Sequence, residues 1–191
     1  MVLAVREAMR YGSWRHYVLA SLLCLLPPVV MAEEQVSPSK AELRAESVTQ
    51  VVLGILSYAR WPVEPTQLAL CIVGPTQYTD DLINGTTQAT GRPVIVQRLL
   101  ADSPRIATDC NALYIGRLTD DERSRLFASL IDKPVLSISE GGDQCTVGSL
   151  FCLRVGDDQV SFEVNLDSVA RSGVRIHPSV LQLSRRRPAS P

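Results

Sequence analysis

Apolar and polar positions alternate along the chain in a way that is typical of an α/β protein. Residues 37–59 repeat apolar side chains at helical spacing, which predicts a first helix with Ser37 as its N-cap, Pro38 as its first residue and Leu43 on its inner face. Trp61-Pro62 is expected to stop this helix. Residues 67–73 then form a nearly continuous apolar run, which predicts a strand that is buried on both faces.

The same alternation continues for a hundred residues and ends in a hairpin. Thr119, with Glu122 three positions later, predicts a capped helix whose inner face carries Leu126, Phe127, Leu130 and Ile131. The other predicted elements are strands at 93–99, 112–115, 134–139, 150–155 and 159–166, and short helices at 78–84, 167–172 and 178–184. The last two strands are joined by Gly156-Asp157-Asp158. We therefore expect a single α/β domain with a mixed, mostly parallel sheet flanked by helices and a C-terminal β-hairpin.

The N-terminal segment has the pattern of a secretory signal peptide. Arg6, Arg10 and Arg15 precede the apolar residues 18–26, two prolines and a small residue at Ala32. The alternative is an uncleaved anchor, but the sixteen uncharged residues 17–32 fall short of the roughly 20 that a bilayer requires. We expect cleavage before Glu33. The exported domain would then cover 33–191, with 185–191 as a flexible tail.

The overall charge excludes two classes of protein. Nineteen Lys and Arg stand against twenty Asp and Glu, for a net charge of −1, and 46% of the residues are hydrophobic. A strongly basic nucleic-acid binder and an acidic disordered chain are both incompatible with this balance.

Four cysteines remain after the predicted cleavage, and export would place them in an oxidising compartment. Of the three possible pairings we predict Cys71–Cys110 and Cys145–Cys152. The first joins two positions at hydrophobic strands, and the second closes a short loop. Two structural disulfides are the simpler interpretation, and a redox-sensitive switch in the short loop is the alternative.

Motifs that carry catalytic chemistry are absent from the sequence. His177 is the one histidine of the predicted mature chain, and there is no G-x-S-x-G, Walker A, G-x-G-x-x-G or HExxH motif. One histidine with four oxidised cysteines cannot supply a common zinc site. We expect no enzymatic activity, no metal and no cofactor.

One C-terminal stretch is richer in polar chemistry than its neighbours. Strand alternation in 160–166 places Glu163 and Asn165 on the face opposite the apolar residues, and several basic side chains follow. If these residues converge with the end of the first helix, they form a mixed-charge cleft with an aromatic wall, which would suit a partner's segment or a small zwitterion. The alternative is a solvated strand face. The candidate binding residues are Arg60, Trp61, Phe151, Glu163, Asn165, Arg171, Arg175 and His177, with Phe151 as an apolar anchor poorly placed for the main core.

These residues carry a resemblance to a known family. The run Phe162-Glu163-Val164-Asn165-Leu166, followed by Gly173, Val174, Ile176 and Val180-Leu181, resembles the YfiR family, as do Trp61-Pro62 after the early helix and the strand at 70–74. The resemblance implies a periplasmic, non-enzymatic repressor that inhibits the periplasmic sensor domain of an inner-membrane diguanylate cyclase. It also implies an outer-membrane, peptidoglycan-associated lipoprotein that sequesters the repressor, so that cyclic-di-GMP and biofilm formation rise.

Two other functional classes stay open, and a second copy of the chain is a further expected partner. A periplasmic binder of an aromatic or zwitterionic small molecule would use the same cleft. An exported thiol oxidoreductase would require a reactive cysteine at a helix start, and all four cysteines lie in predicted strands or loops. A homodimer is also expected, because regulators of dimeric receptors often match their symmetry.

Overall fold

The first helix of the computed structural model, α1, runs over Lys40–Ser57. The structure describes residues 38–84, 86–88, 90–141, 148–157 and 159–185, so the predicted signal peptide and Ser37 lie outside the described residues. The N-cap is Ser39 and the predicted start at Pro38 is wrong, because Ser39 and Glu42 form a capping box. The Glu42 amide donates to Ser39 Oγ at 3.2 Å, and the Ser39 amide donates to Glu42 Oε2 at 2.6 Å. Leu43, predicted on the inner face, is 47% exposed.

A seven-stranded sheet forms the centre of the fold. After β1 (Ala59–Arg60), the strands are β2 (Leu68–Val73), β3 (Thr86–Thr87), β4 (Pro93–Leu99), β5 (Ala112–Ile115), β6 (Leu136–Ser139), β7 (Phe151–Val155) and β8 (Val160–Val164). The order of the strands in the sheet is β3-β4-β2-β5-β6-β7-β8, with parallel pairing from β4 through β7 and antiparallel pairing at both ends. This confirms the predicted mixed, mostly parallel sheet and its C-terminal hairpin. Asp158, in the predicted turn, lies outside the described residues.

Helices connect the strands and cover the sheet. They are α2 (Asp80–Ile83), α3 (Ile106–Asp109), α4 (Asp120–Ser129), α5 (Leu166–Arg171) and a final 3₁₀ helix, Pro178–Arg185. The capping box of Thr119 and Glu122 at the start of α4 is confirmed. Leu126 is buried as predicted, but Ile131 is 69% exposed. Ile131 follows the end of α4, so the helical spacing that would have turned it inward no longer applies.

Both faces of the sheet carry a hydrophobic core. On one face, α1 contributes Val52 and Ile55, which pack in the same cluster as Leu70 of β2. On the other face, Cys71 and Val73 of β2 pack with Ile106, Leu113, Ile115 and Leu126. Neighbouring residues of β2 therefore enter opposite cores, which confirms the predicted strand that is buried on both faces.

One disulfide joins two central strands. Cys71 in β2 is bonded to Cys110, two residues before β5, with their Cα atoms 5.8 Å apart. This confirms the first predicted pairing. Cys152 is also disulfide-bonded, while Cys145, its predicted partner, lies outside the described residues, so that pairing stays a prediction.

A separate two-stranded ribbon lies after α1. β1 pairs antiparallel with β9 (Arg175–Ile176), so Ala59 faces Ile176 and Arg60 faces Arg175. The pattern did not predict either two-residue strand. In the part of the chain that the structure describes, no helix is long and apolar enough to cross a membrane.

Candidate functional site

Three of the predicted site residues meet on the two-stranded ribbon. Arg60 and Arg175 are paired in register and exposed, and His177 follows two residues later. The His177 amide donates to the Tyr58 carbonyl at 3.0 Å, and the two rings stack with centroids 6.2 Å apart. We call Arg60, Arg175, His177 and Tyr58 the ribbon cluster. It presents two guanidinium groups beside a stacked aromatic pair, a combination that can hold an anionic or planar group.

Hydrogen bonds orient the polar groups of the ribbon cluster. Arg60 Nη1 donates to the carbonyls of Ser57 at 2.8 Å and Ala59 at 2.7 Å. His177 Nδ1 accepts the Ser179 amide at 3.2 Å, so the neutral ring carries its proton on Nε2. The cluster therefore lies at the surface, and hydrogen bonds to the local backbone hold the side chains of Arg60 and His177.

Trp61 does not belong to this surface, and the predicted aromatic wall is wrong. The side chain is 3% exposed, and its indole Nε1 donates to the Asn111 carbonyl at 3.0 Å. The Asn111 side chain in turn accepts the Ala69 amide at 2.9 Å. Along an extended segment neighbouring side chains alternate in direction, so an exposed Arg60 leaves Trp61 facing the core.

Phe151 is likewise part of the core. The expectation of an apolar surface anchor is wrong, because Phe151 is fully buried and makes an edge contact with Phe162 at a centroid distance of 5.6 Å. The first three residues of β7, Phe151, Cys152 and Leu153, are all buried, so both faces of this part of the strand are covered. The neighbouring Cys152 in the sequence did not indicate that Phe151 is buried.

The remaining predicted residues occupy separate places along the C-terminal segment. Glu163 lies exposed on the edge strand β8 and forms an ion pair with Arg154. Asn165 is the N-cap of α5, where its side chain accepts the Ser168 amide at 3.0 Å. Arg171 is the exposed last residue of α5. Within the described ranges, no hydrogen bond or ion pair joins these three to the ribbon cluster.

A recessed site that the sequence did not predict lies at the carboxyl edge of the sheet. The chain goes from β2 to β4 on one side and returns from β4 to β5 on the other side of β2, so the loops after β2 and β5 diverge there. In open α/β sheets such a switch point is the usual place for a ligand crevice. The carboxyl-edge crevice has a volume of about 700 Å³, and the loops after β2, β5 and β6 and the β7–β8 hairpin form its walls.

Close contacts fix these loops. The Gly116 amide donates to the Val73 carbonyl at 2.9 Å, and the Arg117 amide donates to the Pro75 carbonyl at 2.8 Å. A Cβ at Gly116 would lie 1.9 Å from the Pro75 oxygen, so only glycine permits this crossing. Gly74 and Gly116, which follow β2 and β5, are the sequence signal for this edge.

Glu140 connects two of the loops that line the crevice. Its carboxylate accepts the amides of Gln77 at 2.8 Å and Tyr78 at 3.0 Å, and the hydroxyl of Tyr114 at 3.0 Å. Burial, reinforced by the Glu140 carboxylate, raises the pKa of the Tyr114 hydroxyl above its ordinary value, so this group stays protonated and donates. Glu140 therefore joins the loop after β6 to the loop after β2.

The described residues contain no group of three or more His, Cys, Asp or Glu side chains that could hold a metal ion. The model of the YfiR/HmsC-like family matches residues 45–185, from within α1 to the end of the 3₁₀ helix. The chain belongs to the YfiR/HmsC-like family. The resemblance seen in the sequence is thereby confirmed at the level of the family, and the match includes the ribbon cluster, the hairpin and the carboxyl-edge crevice.

Proposed function

We propose that this YfiR/HmsC-like chain is a periplasmic negative regulator of cyclic-di-GMP signalling. It binds the periplasmic sensor domain of an inner-membrane diguanylate cyclase and holds the cyclase inactive. An outer-membrane, peptidoglycan-associated lipoprotein sequesters it and releases that inhibition, so biofilm formation increases. The observation that carries the proposal is the family match over residues 45–185. On the motifs quoted above, we further propose that it is the YfiR protein of a pseudomonad.

We propose that the protein acts by binding partners and not as an enzyme. The Cys71–Cys110 disulfide suits an oxidising compartment and fixes two central strands, which gives the exposed side chains a rigid support. Arg60, Arg175 and Glu163 are exposed and charged, as is common at the surface of a protein that recognises polar partners. We propose that these three contribute to the partner surface, and that the protein acts as a homodimer.

The proposal is tested by deleting the gene in its native host and measuring intracellular cyclic-di-GMP. We expect the intracellular cyclic-di-GMP level to rise in the deletion strain and to return to the wild-type level when the full chain is expressed. A version lacking residues 1–32 should not lower the level, because it is not exported. Glu163→Lys should fail to repress with an unchanged circular dichroism spectrum, since the exposed pair with Arg154 contributes little to stability.

Glu46→Lys provides the matched control, because Glu46 is an exposed glutamate on α1 that is not one of the proposed partner residues. It should repress like the wild type. An unchanged cyclic-di-GMP level in the deletion strain would contradict the proposed function. Full repression by Glu163→Lys would remove Glu163 from the partner surface.

A small-molecule binder is the second candidate, and the ribbon cluster favours it. Its two guanidinium groups can pair with a carboxylate while the Tyr58–His177 stack offers a planar surface. Phenylalanine, a zwitterion with an aromatic ring, should raise the thermal unfolding temperature of the wild type but not that of Arg175→Gln. The thiol oxidoreductase has less support, because Cys71 is fully buried in β2.

A further inference from the structure

The carboxyl-edge crevice has the size and position of a small-molecule site. Its volume of about 700 Å³ falls within the range of roughly 300–1,000 Å³ that is typical of ligand pockets. It opens where the loops after β2 and β5 diverge, and the hydrogen bonds of Gly116, Arg117 and Glu140 fix its walls. A site with fixed walls requires little ordering when a ligand binds.

The charges that line this crevice favour an anionic group. Glu140 is already occupied by two backbone amides and the Tyr114 hydroxyl. Arg154 is paired with Glu163. Arg117 is exposed at the crevice, and no hydrogen bond or ion pair of its guanidinium occurs among the described residues. Glu140 keeps its negative charge, but its oxygens already accept neutral donors, so Arg117 is the cation on the described lining whose donors are available to a ligand.

Neutral polar groups line the rest of the crevice. Ser161 and Gln77 can donate to and accept from hydroxyl groups, and the half-buried Tyr78 offers an aromatic surface against which a sugar ring can pack. A guanidinium recognises the planar fork of a carboxylate and the oxygens of a phosphate equally well.

We propose that the carboxyl-edge crevice binds a sugar-sized, hydroxylated molecule through its phosphate or carboxylate group, with Arg117 as the principal contact. Ser161 and Gln77 contact its hydroxyl groups. None of the ribbon-cluster residues lines this site, and Glu163 adjoins it only through its ion pair with Arg154, so its test does not depend on the proposed repressor function. A binding measurement on the purified exported protein tests it without any partner.

The test uses three probes that share one ring: glucose 6-phosphate, glucuronate and neutral glucose. Calorimetric titration of the wild-type protein should give saturable binding of glucose 6-phosphate, glucuronate or both, with dissociation constants of about 1 mM or lower. Glucose should bind at least tenfold more weakly. The first two probes distinguish phosphate from carboxylate as the recognised group.

Arg117→Gln should weaken binding about tenfold or more, because a charge-assisted hydrogen bond is lost. Arg125→Gln is the matched control: it removes the same charge from an exposed arginine on α4 that does not line the crevice, and it should bind like the wild type. Ser161→Tyr should also abolish binding by filling the space. Thermal unfolding of each variant shows whether it is folded.

Several results would overturn the proposal. They are the absence of binding by both charged probes, equal binding of glucose, or an unchanged affinity in folded Arg117→Gln. An equal loss in Arg125→Gln would indicate general attraction of anions to the surface, which contradicts a defined site. A loss in Arg60→Gln with normal binding by Arg117→Gln would assign the ligand to the ribbon cluster instead.

Discussion

The ribbon cluster and the carboxyl-edge crevice are two differently constructed arrangements of arginines. In the ribbon cluster, Arg60 and Arg175 lie exposed and opposite each other on two-residue strands, and the Arg60 guanidinium donates to the nearby Ser57 and Ala59 carbonyls. In the crevice, Arg117 lies on a loop that is bonded to a neighbouring loop and to the central sheet. The first arrangement gives an accessible surface that a protein partner can reach. The second gives a recess that suits a small molecule.

This difference affects what a substitution does. Replacing an exposed ribbon side chain removes charge and leaves the fold unchanged, because surface substitutions usually alter stability by less than about 0.5 kcal/mol. Changes at the loops of the crevice reach the sheet, since Gly116 lies directly against Pro75 and its amide donates to the Val73 carbonyl of β2. Stability measurements can therefore separate the two regions before any ligand or partner is known.

The largest effect is expected from removing the Cys71–Cys110 disulfide. The double variant Cys71→Ala/Cys110→Ala should lower the free energy of unfolding by about 4 kcal/mol, because the two cysteines are separated by 39 residues and the unfolded chain gains freedom. Urea unfolding of purified residues 33–191 measures this difference. An unchanged midpoint would mean that the disulfide does not support the two strands at the switch point.

The second effect concerns the loop crossing beside the crevice. Gly116→Ala should cost about 3 kcal/mol, since its Cβ would overlap the Pro75 carbonyl oxygen. Gly156→Ala, a control in the β7–β8 hairpin, meets its nearest atom at 3.3 Å and should cost at most about 1 kcal/mol. Equal losses of stability in the two variants would contradict a rigid crossing.

The third prediction compares the stability effects of substitutions at Trp61 and at its neighbour Arg60 on the ribbon. Trp61→Phe should lower the free energy of unfolding by about 2 kcal/mol, because the hydrogen bond to Asn111 and part of the core packing are lost. Arg60→Gln should change it by less than about 0.5 kcal/mol. Chemical denaturation of both variants checks this, and the reverse order would place Trp61 outside the core.

The smallest effect tests whether Asn165 is a cap or a contact residue. Asn165→Ala should cost about 1 kcal/mol by removing the side-chain acceptor for Ser168 at the start of α5. Asn165→Asp keeps that acceptor and should retain stability. If cyclic-di-GMP repression is lost in Asn165→Asp while stability is retained, Asn165 contacts a partner as well as capping the helix.

Much of the fold could be predicted because most strands of the central sheet are short runs of largely apolar residues. The predicted bounds of β4 and β5 agree with the structure, and the Thr119–Glu122 box located α4. β1 and β9 are two residues long, which is too short for a repeating pattern of apolar and polar residues to be detected. Their pairing is a contact between residues more than a hundred positions apart, which local pattern does not contain.

The candidate site could be predicted only in part. Arg60, Arg175 and His177 were found from charge and sequence, and the structure brings them together. Trp61 and Phe151 were placed on the surface because residue type does not reveal which way a side chain faces. The carboxyl-edge crevice depends on the order of strands in the sheet, so Arg117 and Glu140 acquire their positions only in the folded chain.

The most direct test of the proposed repressor is a calorimetric titration of purified residues 33–191 with the periplasmic domain of the host's inner-membrane diguanylate cyclase. We predict a saturable complex with a dissociation constant of about 1 μM or lower. Glu163→Lys should weaken it strongly, and Glu46→Lys should leave it unchanged. The absence of any complex with the folded wild-type protein would contradict the account.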